Sequence, residues 1–139
     1  MAASPQSQLY FENKAGRIVN EPAGYFRLDY HAGPRTEDEF RALLTHLLRA
    51  LARTDWNRTL INQQQMQPFT AREQQWMVDE WLPQAVLDGG YRYGAILVAD
   101  NVFARLAMSS VEISTRHLPH TYRNFTDEAE AIAWLVAQP

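Results

Sequence analysis

Amide side chains are concentrated in one stretch of the sequence, from Asn62 to Gln67. This stretch follows a buried-strand pattern, Thr59-Leu60-Ile61, and precedes the helix-capping residue Thr70. In open α/β sheets ligands bind at the carboxyl ends of the strands, and the free N–H groups of a helix start favour an anion. Since amides both donate and accept hydrogen bonds, the cluster suits a polar ligand or the backbone of a partner. The alternative is a solvated loop whose amides bind neighbouring backbone groups.

Two tryptophans, Trp76 and Trp81, lie in the helix predicted after this cluster. Five residues apart on an α-helix, their side chains point about 140° apart, so they cannot both occupy the centre of one narrow core stripe. One is expected to be partly exposed or to cover a partner surface, where tryptophan is enriched; core packing is the alternative for either one alone. The predicted ligand- or partner-binding residues are Asn62, Gln63, Gln64, Gln67, Thr70 and Trp76.

The histidines are the next candidates for chemistry. His117 and His120 could form half of a metal site, but a closed site needs a third and a fourth ligand. Glu112, His31 or His46 could contribute those ligands only if the fold brought them close to this pair. Nothing in the sequence brings these together, so a surface loop without a metal is predicted. If the protein were an enzyme, His31, His117 or His120 would be its acid–base group, because histidine titrates near neutrality.

The sequence offers no recognisable catalytic motif. It contains no cysteine, which excludes disulfides, thiolate nucleophiles, iron–sulfur clusters and thiolate zinc sites. Ser109-Ser110 lacks the glycines of a nucleophile elbow, and Gly89-Gly90 is a helix stop, not a phosphate-binding loop. We therefore assign no catalytic residue and no cofactor, and predict a non-enzymatic protein.

Length and composition predict a single globular domain. The chain has 139 residues, of which 46% are hydrophobic and 21% charged, and its formal net charge is −3. This mild charge gives no reason to expect nucleic acid or an anionic membrane as a partner. The N-terminus lacks the basic and apolar regions of a signal peptide, and no window is long enough to span a bilayer, so a cytoplasmic location is expected.

The order of the elements predicts how the candidate residues are positioned. Residues 1–8 are interpreted as a flexible polar tail and residues 9–139 as the domain. Three β patterns in residues 9–31 predict an antiparallel meander, and in the third of them Arg27, Asp29 and His31 share the face away from the apolar residues. Helical and strand patterns then alternate, which predicts a mostly parallel sheet packed by about four helices.

Local signals mark the helices. Capping boxes are formed by Thr36 with Glu39 and by Thr70 with Glu73. Pro83 is expected to kink or divide the second helix, because it lacks an N–H donor. Asp100 is predicted to cap a short helix through Ala107, and Asp127 to open the last one. The predicted buried stripe of the last helix is Ile132, Leu135 and Val136.

Several of these patterns together resemble the bacterial SpoIIAA-like family within the STAS fold (sulphate transporter and anti-sigma-factor antagonist), over roughly residues 9–137. They are Pro83 and Gly89-Gly90 ahead of the strand at residues 95–98, and the ending Phe125 to Leu135, in which a Phe leads into a helix ending in Trp-Leu. The resemblance implies a STAS-like α/β sandwich with a mixed, mostly parallel sheet and antiparallel N-terminal strands.

The resemblance also implies a regulatory module, because anti-sigma-factor antagonists of this fold act by docking a partner under the control of serine or threonine phosphorylation. The matching region, residues 62–70, lacks the family's Asp-Ser-type motif, and its hydroxyl residue, Thr70, is needed as a helix cap. The predicted function is therefore the docking of an unknown partner by this loop and the helix after it. The alternatives are a carrier or sensor of a small, partly apolar ligand beneath Trp76 or Trp81, and a histidine-dependent enzyme. A homodimer is compatible with all three.

Overall fold

The computed structural model describes residues 6–139 and contains a six-stranded sheet whose strands lie side by side in chain order. The strands are β1 (Gln8–Glu12), β2 (Gly16–Glu21), β3 (Tyr25–Tyr30), β4 (Arg58–Asn62), β5 (Tyr93–Leu97) and β6 (Thr121–Phe125). The first three pair antiparallel, and β3 to β6 pair parallel. The prediction of a mixed, mostly parallel sheet with antiparallel N-terminal strands is confirmed.

The predicted polar tail overlaps the start of the sheet. Residues 1–5 lie outside the described residues. Gln8, which the sequence assigned to the tail, belongs to β1 and lies opposite Asn20 of β2. The ladder therefore begins one residue earlier than the apolar alternation indicated, because backbone pairing does not require an apolar side chain.

Helices cover both faces of the sheet. They are α1 (Glu37–Arg53), α2 (Ala71–Trp76), a π-helical segment (Met77–Trp81), α3 (Leu82–Leu87), α4 (Val102–Ser114) and α5 (Glu128–Val136). α1, the continuous α2–α3 helix and α4 share one core with the inward side chains of one sheet face, whereas α5 packs on the opposite face against Leu60, Ala95 and Leu97. Right-handed crossovers between strands in chain order place successive helices on the same face, which explains why the first three lie together.

Both predicted capping boxes are present. Thr36 Oγ1 accepts from the N–H of Glu39 at 3.1 Å, and Glu39 Oε1 accepts from the N–H of Thr36 at 2.8 Å. At the start of α2, Thr70 and Glu73 make the same reciprocal pair at 3.1 and 2.9 Å. Each box satisfies two N–H groups that have no partner inside the helix.

The helix around Pro83 changes its hydrogen-bond pattern near the point where the sequence predicted a kink or a division, but it remains continuous. Pro83 is the second residue of α3 and follows the five-residue π-helical segment. Leu82 donates its N–H to the carbonyl of Met77, five residues earlier. This wider turn shifts the hydrogen-bond register just before the residue that lacks an N–H, so the chain stays helical instead of breaking.

Two predictions about the later helices are wrong in detail. Asn101, not Asp100, caps α4: its Oδ1 accepts from the N–H groups of Phe103 and Ala104 at 2.8 and 3.2 Å, and the helix runs to Ser114 instead of ending near Ala107. In α5, capped by Asp127 as predicted, the buried residues are Ala131 and Leu135, whereas Val136 is 44% exposed. The sequence shows the helical period, but only the position of the sheet decides which apolar residues it covers.

Candidate functional site

The polar side chains around the predicted amide cluster form one row across the sheet. Glu12 of β1 lies opposite Arg17 of β2. Arg17 lies opposite Asp29 of β3, and Asp29 lies opposite Asn62 of β4. The row therefore joins the carboxyl ends of β3 and β4, the place where the sequence predicted a binding site.

Asp29 is the centre of the hydrogen bonds in this row, although its side chain is nearly buried. Its Oδ1 accepts from Asn62 Nδ2 at 3.0 Å, its Oδ2 accepts from Arg17 Nε at 3.0 Å, and both oxygens lie 3.1 Å from Arg27 Nε. Burial acts to raise the pKa of Asp29, but the hydrogen bonds from Arg27, Asn62 and Arg17 outweigh it, so the pKa is lowered. The carboxylate is therefore fixed as an anion between two guanidinium groups, one of which (Arg27) also binds Glu128 of α5 at 2.5 Å.

An open cleft of about 420 Å³ lies beside this row. It is lined by Arg17, Arg27, Asp29, Tyr30, His31, Asn62, Gln64, Gln65 and Asp100. Both ends of the Asn62 amide are used inside the chain, since Nδ2 binds Asp29 and Oδ1 accepts from the N–H of Gln64 at 3.0 Å. The exposed amides of Gln64 and Gln65 are what the cluster presents to a ligand, so the structure brings only Asn62 and Gln64 of the six predicted residues to this cleft.

The other amides of the predicted cluster lie elsewhere. Gln63 points to the opposite side of the sheet, where it is 2% exposed and its Nε2 donates to the sulfur of Met108 at 3.3 Å. Gln63 therefore does not reach the cleft, because successive side chains at the end of a strand point to opposite faces. Gln67 faces solvent, and Thr70 serves the capping box, as the sequence indicated.

A buried ion pair that the sequence did not reveal ties the loop before α1 to α2. Arg35 Nη2 and Nε bind the two carboxylate oxygens of Glu73 at 2.7 and 3.0 Å, and the side chains are 5% and 3% exposed. The guanidinium also lies over the ring of Phe40, 5.2 Å from its centroid. Glu73 thus completes a capping box and an ion pair with one carboxylate, which holds the N-termini of α1 and α2 side by side.

The sixth predicted residue, Trp76, lines a separate groove between these two helices. The groove has a volume of about 580 Å³ and is lined by Glu37, Asp38, Arg41, Arg72, Gln75, Trp76, Asp79 and Glu80. Trp76 is half-buried, whereas Trp81 is 4% exposed and donates its Nε1–H to the carbonyl of Leu44 at 2.5 Å. The prediction that one tryptophan packs in the core while the other reaches the surface is confirmed.

The four histidines lie in different places. His31 Nε2 is 2.7 Å from Glu12 Oε2, and His46 stacks on Phe11 with ring centroids 3.9 Å apart. His117 is exposed, while His120 packs between aromatic rings. Within residues 6–139, no three histidine and carboxylate side chains are arranged to hold a metal ion.

His120 lines a second cleft that also contains a carboxylate. The cleft, of about 340 Å³, is lined by Glu112, Thr115, Arg116, His120, Thr121 and Tyr122. Burial, together with the nearby charges of His117 and Arg92, lowers the pKa of His120 to about 4, so its imidazole is neutral at pH 7. Burial raises the pKa of Glu112, against hydrogen bonding from Asn124 and the charge of Arg116. The sequence named Glu112 as a possible metal ligand and His120 as a possible metal ligand or acid–base group, but it did not show that they line one cleft.

No protein-family model matches the chain, and neither a curated protein nor a solved structure matches it at a significant level. Among residues 6–139, none of the helices combines the length and the apolar character that crossing a membrane requires.

Proposed function

We propose that this chain is a non-enzymatic, STAS-like regulatory module that docks a partner protein in the groove around Trp76 and on the adjoining 62–70 loop. The observation that carries the proposal is the half-buried Trp76, which lies between α1 and α2 inside a rim of charged side chains. Interface hot spots have this anatomy: an aromatic anchor surrounded by polar groups that exclude water.

Trp76 is held in place before any partner arrives. Its ring meets the buried ring of Phe40 edge-on, with centroids 6.0 Å apart, and the guanidinium of Arg41 lies over the ring, 5.2 Å from its centroid. A side chain whose rotamer is already restrained loses little conformational entropy when a partner covers it. The groove is thus a preformed anchor point.

The charges around the groove indicate the chemistry of the partner. Glu37 is engaged with Arg41 at 2.9 Å and with Arg72 at 3.5 Å. The remaining carboxylates of the groove, on Asp38, Asp79 and Glu80, are exposed and form no ion pair within residues 6–139. A segment that carries basic side chains beside an apolar one complements this surface, because opposite charges steer association and fix its register.

The alternative of a small-ligand carrier requires a pocket beneath Trp76 or Trp81, and side chains occupy both positions. The space beneath Trp81 is filled, since Trp81 contacts Tyr91 edge-on with centroids 6.2 Å apart and binds the carbonyl of Leu44. Phe40 fills the space beneath Trp76. A ligand would have to displace core side chains, which costs more than covering an existing groove.

A second candidate function, acid–base catalysis, is favoured by one observation: Glu112, His120 and Tyr122 line the same cleft. A neutral imidazole can accept a proton, and a carboxyl group with a raised pKa can donate one. Native mass spectrometry of gently purified protein tests this candidate. A bound small molecule that is lost in His120→Ala, but kept in His46→Ala, would support the enzyme and weaken the docking proposal.

The docking proposal is tested by site-specific photocrosslinking in cells of the source organism. A benzoylphenylalanine replaces Gln75, which lines the groove, and in a matched control it replaces Gln84, an exposed residue on α3. We expect one protein to be crosslinked from Gln75 and not from Gln84. No product specific to the groove position would contradict the proposal.

The captured partner is then purified and its affinity measured. We expect Trp76→Ala to weaken binding at least about 10-fold, because a truncated hot-spot residue typically costs 2 kcal/mol or more. Asp79→Lys with Glu80→Lys should slow association and reduce its salt dependence. Thermal unfolding of each variant separates lost docking from lost folding, and unchanged affinity in Trp76→Ala would place the contact elsewhere.

A further inference from the structure

The outward face of α4 carries large apolar side chains from its first turn to its last. Four of the seven large hydrophobic side chains that the described residues expose belong to this one helix. They are Val102 (49% exposed), Phe103 (67%), Leu106 (61%) and Ile113 (59%). With three to four residues per turn, they form one stripe on the side away from the sheet. A contiguous exposed stripe of this kind marks a surface that meets another surface.

The charged residues of α4 leave this stripe bare. The helix has two, Arg105 and Glu112. Arg105 is exposed but donates to the carbonyl of Ala99 at 2.8 Å, and at about 100° per residue both charged side chains lie on one flank of the stripe. The other outward residues near the centre are the small Ser109 and Ser110, which let another helix approach closely.

We infer that this stripe, Val102 to Ile113, is the interface for a second copy of the chain, with the two α4 helices packed antiparallel about a twofold axis that crosses the outward face at the height of the buried Met108. Phe103 and Ile113 lie at equal distances on either side of Met108, as do Leu106 and Ser110. An antiparallel pair centred there places Phe103 against Ile113 of the second copy, and the large Leu106 against the small Ser110. A twofold interface requires such self-complementarity.

Charges at the two ends of α4 fit the antiparallel arrangement. Asp100 precedes the N-cap Asn101, and Arg116 follows the C-cap Thr115; both are exposed and form no ion pair within residues 6–139. Centred on Met108, each Asp100 meets Arg116 of the second copy. A parallel pair would instead place like charges together and align the two helix dipoles unfavourably.

The experiment begins with the mass of the native chain in solution. Sedimentation equilibrium should give twice the 16.0 kDa chain mass at micromolar concentration. Leu106→Arg should give the single-chain mass with an unchanged circular dichroism spectrum. The matched control, Leu87→Arg, changes a side chain equally exposed (65%) but on α3, and should remain dimeric. A wild-type chain that stays monomeric at hundreds of micromolar, or a dimer unaffected by Leu106→Arg, would overturn the inference.

The orientation is tested by crosslinking, which the absence of cysteine makes specific. In the antiparallel pair, Ser110→Cys lies near the twofold axis and should join to itself through a short bismaleimide. Phe103→Cys should not, because its two copies lie about 15 Å apart along the axis. Crosslinking of both variants would show a parallel pair and overturn the proposed register.

A charge swap provides an independent readout of the same register. Asp100→Arg and Arg116→Asp should each weaken the dimer, and the double variant should restore it, because opposite charges then meet again. A double variant weaker than either single one would exclude the contact between these two ends. Since this interface does not include the Trp76 groove, its failure leaves the docking proposal unaffected.

Discussion

Helices α1 and α4 pack on the same face of the sheet, but α1 buries its large apolar side chains whereas α4 exposes several of its own. α1 turns its large side chains inward and its charges outward; its buried residues are Phe40, Leu43, Leu44, Leu47, Ala50 and Leu51. α4 buries mostly small ones, namely Ala104, Ala107, Met108 and Val111, and exposes the Val102–Ile113 stripe. The large apolar side chains of α1 are all buried within the chain, or nearly so. Those of α4 on the outward side stay exposed, and a second copy would cover them.

The two helices are also anchored differently at their N-termini. α4 begins with a local cap from Asn101. α1 has a local capping box and, in addition, the buried Arg35–Glu73 pair, which joins its start to that of α2. Long-range anchoring positions α1 against its neighbour and thereby shapes the Trp76 groove. The structure thus separates a helix pair joined by a buried ion pair, beside which the groove lies, from a helix that is capped only locally.

The largest expected effect in this comparison comes from the anchor of α1. Arg35→Met leaves the buried carboxylate of Glu73 without its partner and should lower the free energy of unfolding by about 3–5 kcal/mol. The control is Arg41→Met, which removes a surface pair with Glu37 and should cost about 1 kcal/mol or less. Urea unfolding measures both. The double variant Arg35→Met with Glu73→Leu should recover part of the loss; similar losses in the two single variants would mean that the pair does not anchor the helix.

The next largest effect is the difference in unfolding free energy between a Leu→Ala substitution in α1 and the same substitution in α4. Leu44→Ala in α1 empties a fully buried site and should cost about 2–5 kcal/mol. Leu106→Ala in α4 removes an exposed side chain and should change the stability of the dilute monomer by no more than about 0.5 kcal/mol. Unfolding at low protein concentration, where association does not contribute, gives the two values. Equal losses of stability in the two variants would show that Leu106 is packed within the chain, and α1 and α4 would then not differ in this respect.

The smallest effect is a difference in pH dependence between two carboxyl groups. The hydrogen bond with the backbone of Thr36 lowers the pKa of Glu39 in α1, so its contribution to stability exists above the usual glutamate pKa and disappears as the pH falls. Burial raises the pKa of Glu112 in α4, so stability is lost as the pH rises above the usual value. Glu39→Gln should therefore destabilise at pH 7, and Glu112→Gln should stabilise.

Unfolding at pH 3 provides the control for this pair. Both carboxyl groups are then largely protonated, and each variant should approach the wild-type stability. A Glu112→Gln variant that destabilises equally at both pH values would show that the hydrogen bond to Asn124 matters more than the cost of burying the charge.

How far the sequence predicts this protein depends on the distance between interacting residues along the chain. The capping boxes were predictable because Thr36 and Glu39, or Thr70 and Glu73, lie within one helical turn. The mixed sheet followed from the order of the strand and helix patterns. In β3, the alternation placed Arg27 and Asp29 on one face, and the network formed there.

The candidate sites were predicted only in part. Asn62 and Gln64 reach the expected strand ends, but Gln63 turns into the core beneath α4, since its neighbour Asn62 faces the other side of the sheet. The partial exposure of one tryptophan could be predicted from the angle between Trp76 and Trp81, but not which one. That depends on where the core lies relative to the helix.

Local sequence therefore decides which segments become helices and strands and where they begin, because those free energies arise from groups a few residues apart. Tertiary structure alone decides the contacts that define the sites. Asp29 meets Asn62 across 33 residues of chain, and Arg35 meets Glu73 across 38. Neither pair shares a local pattern, and each partner is held in place only by the packing of the elements between them. The sequence of α4 is apolar on more than one side, and only the packing of the helix on the sheet decides which of its apolar side chains remain exposed.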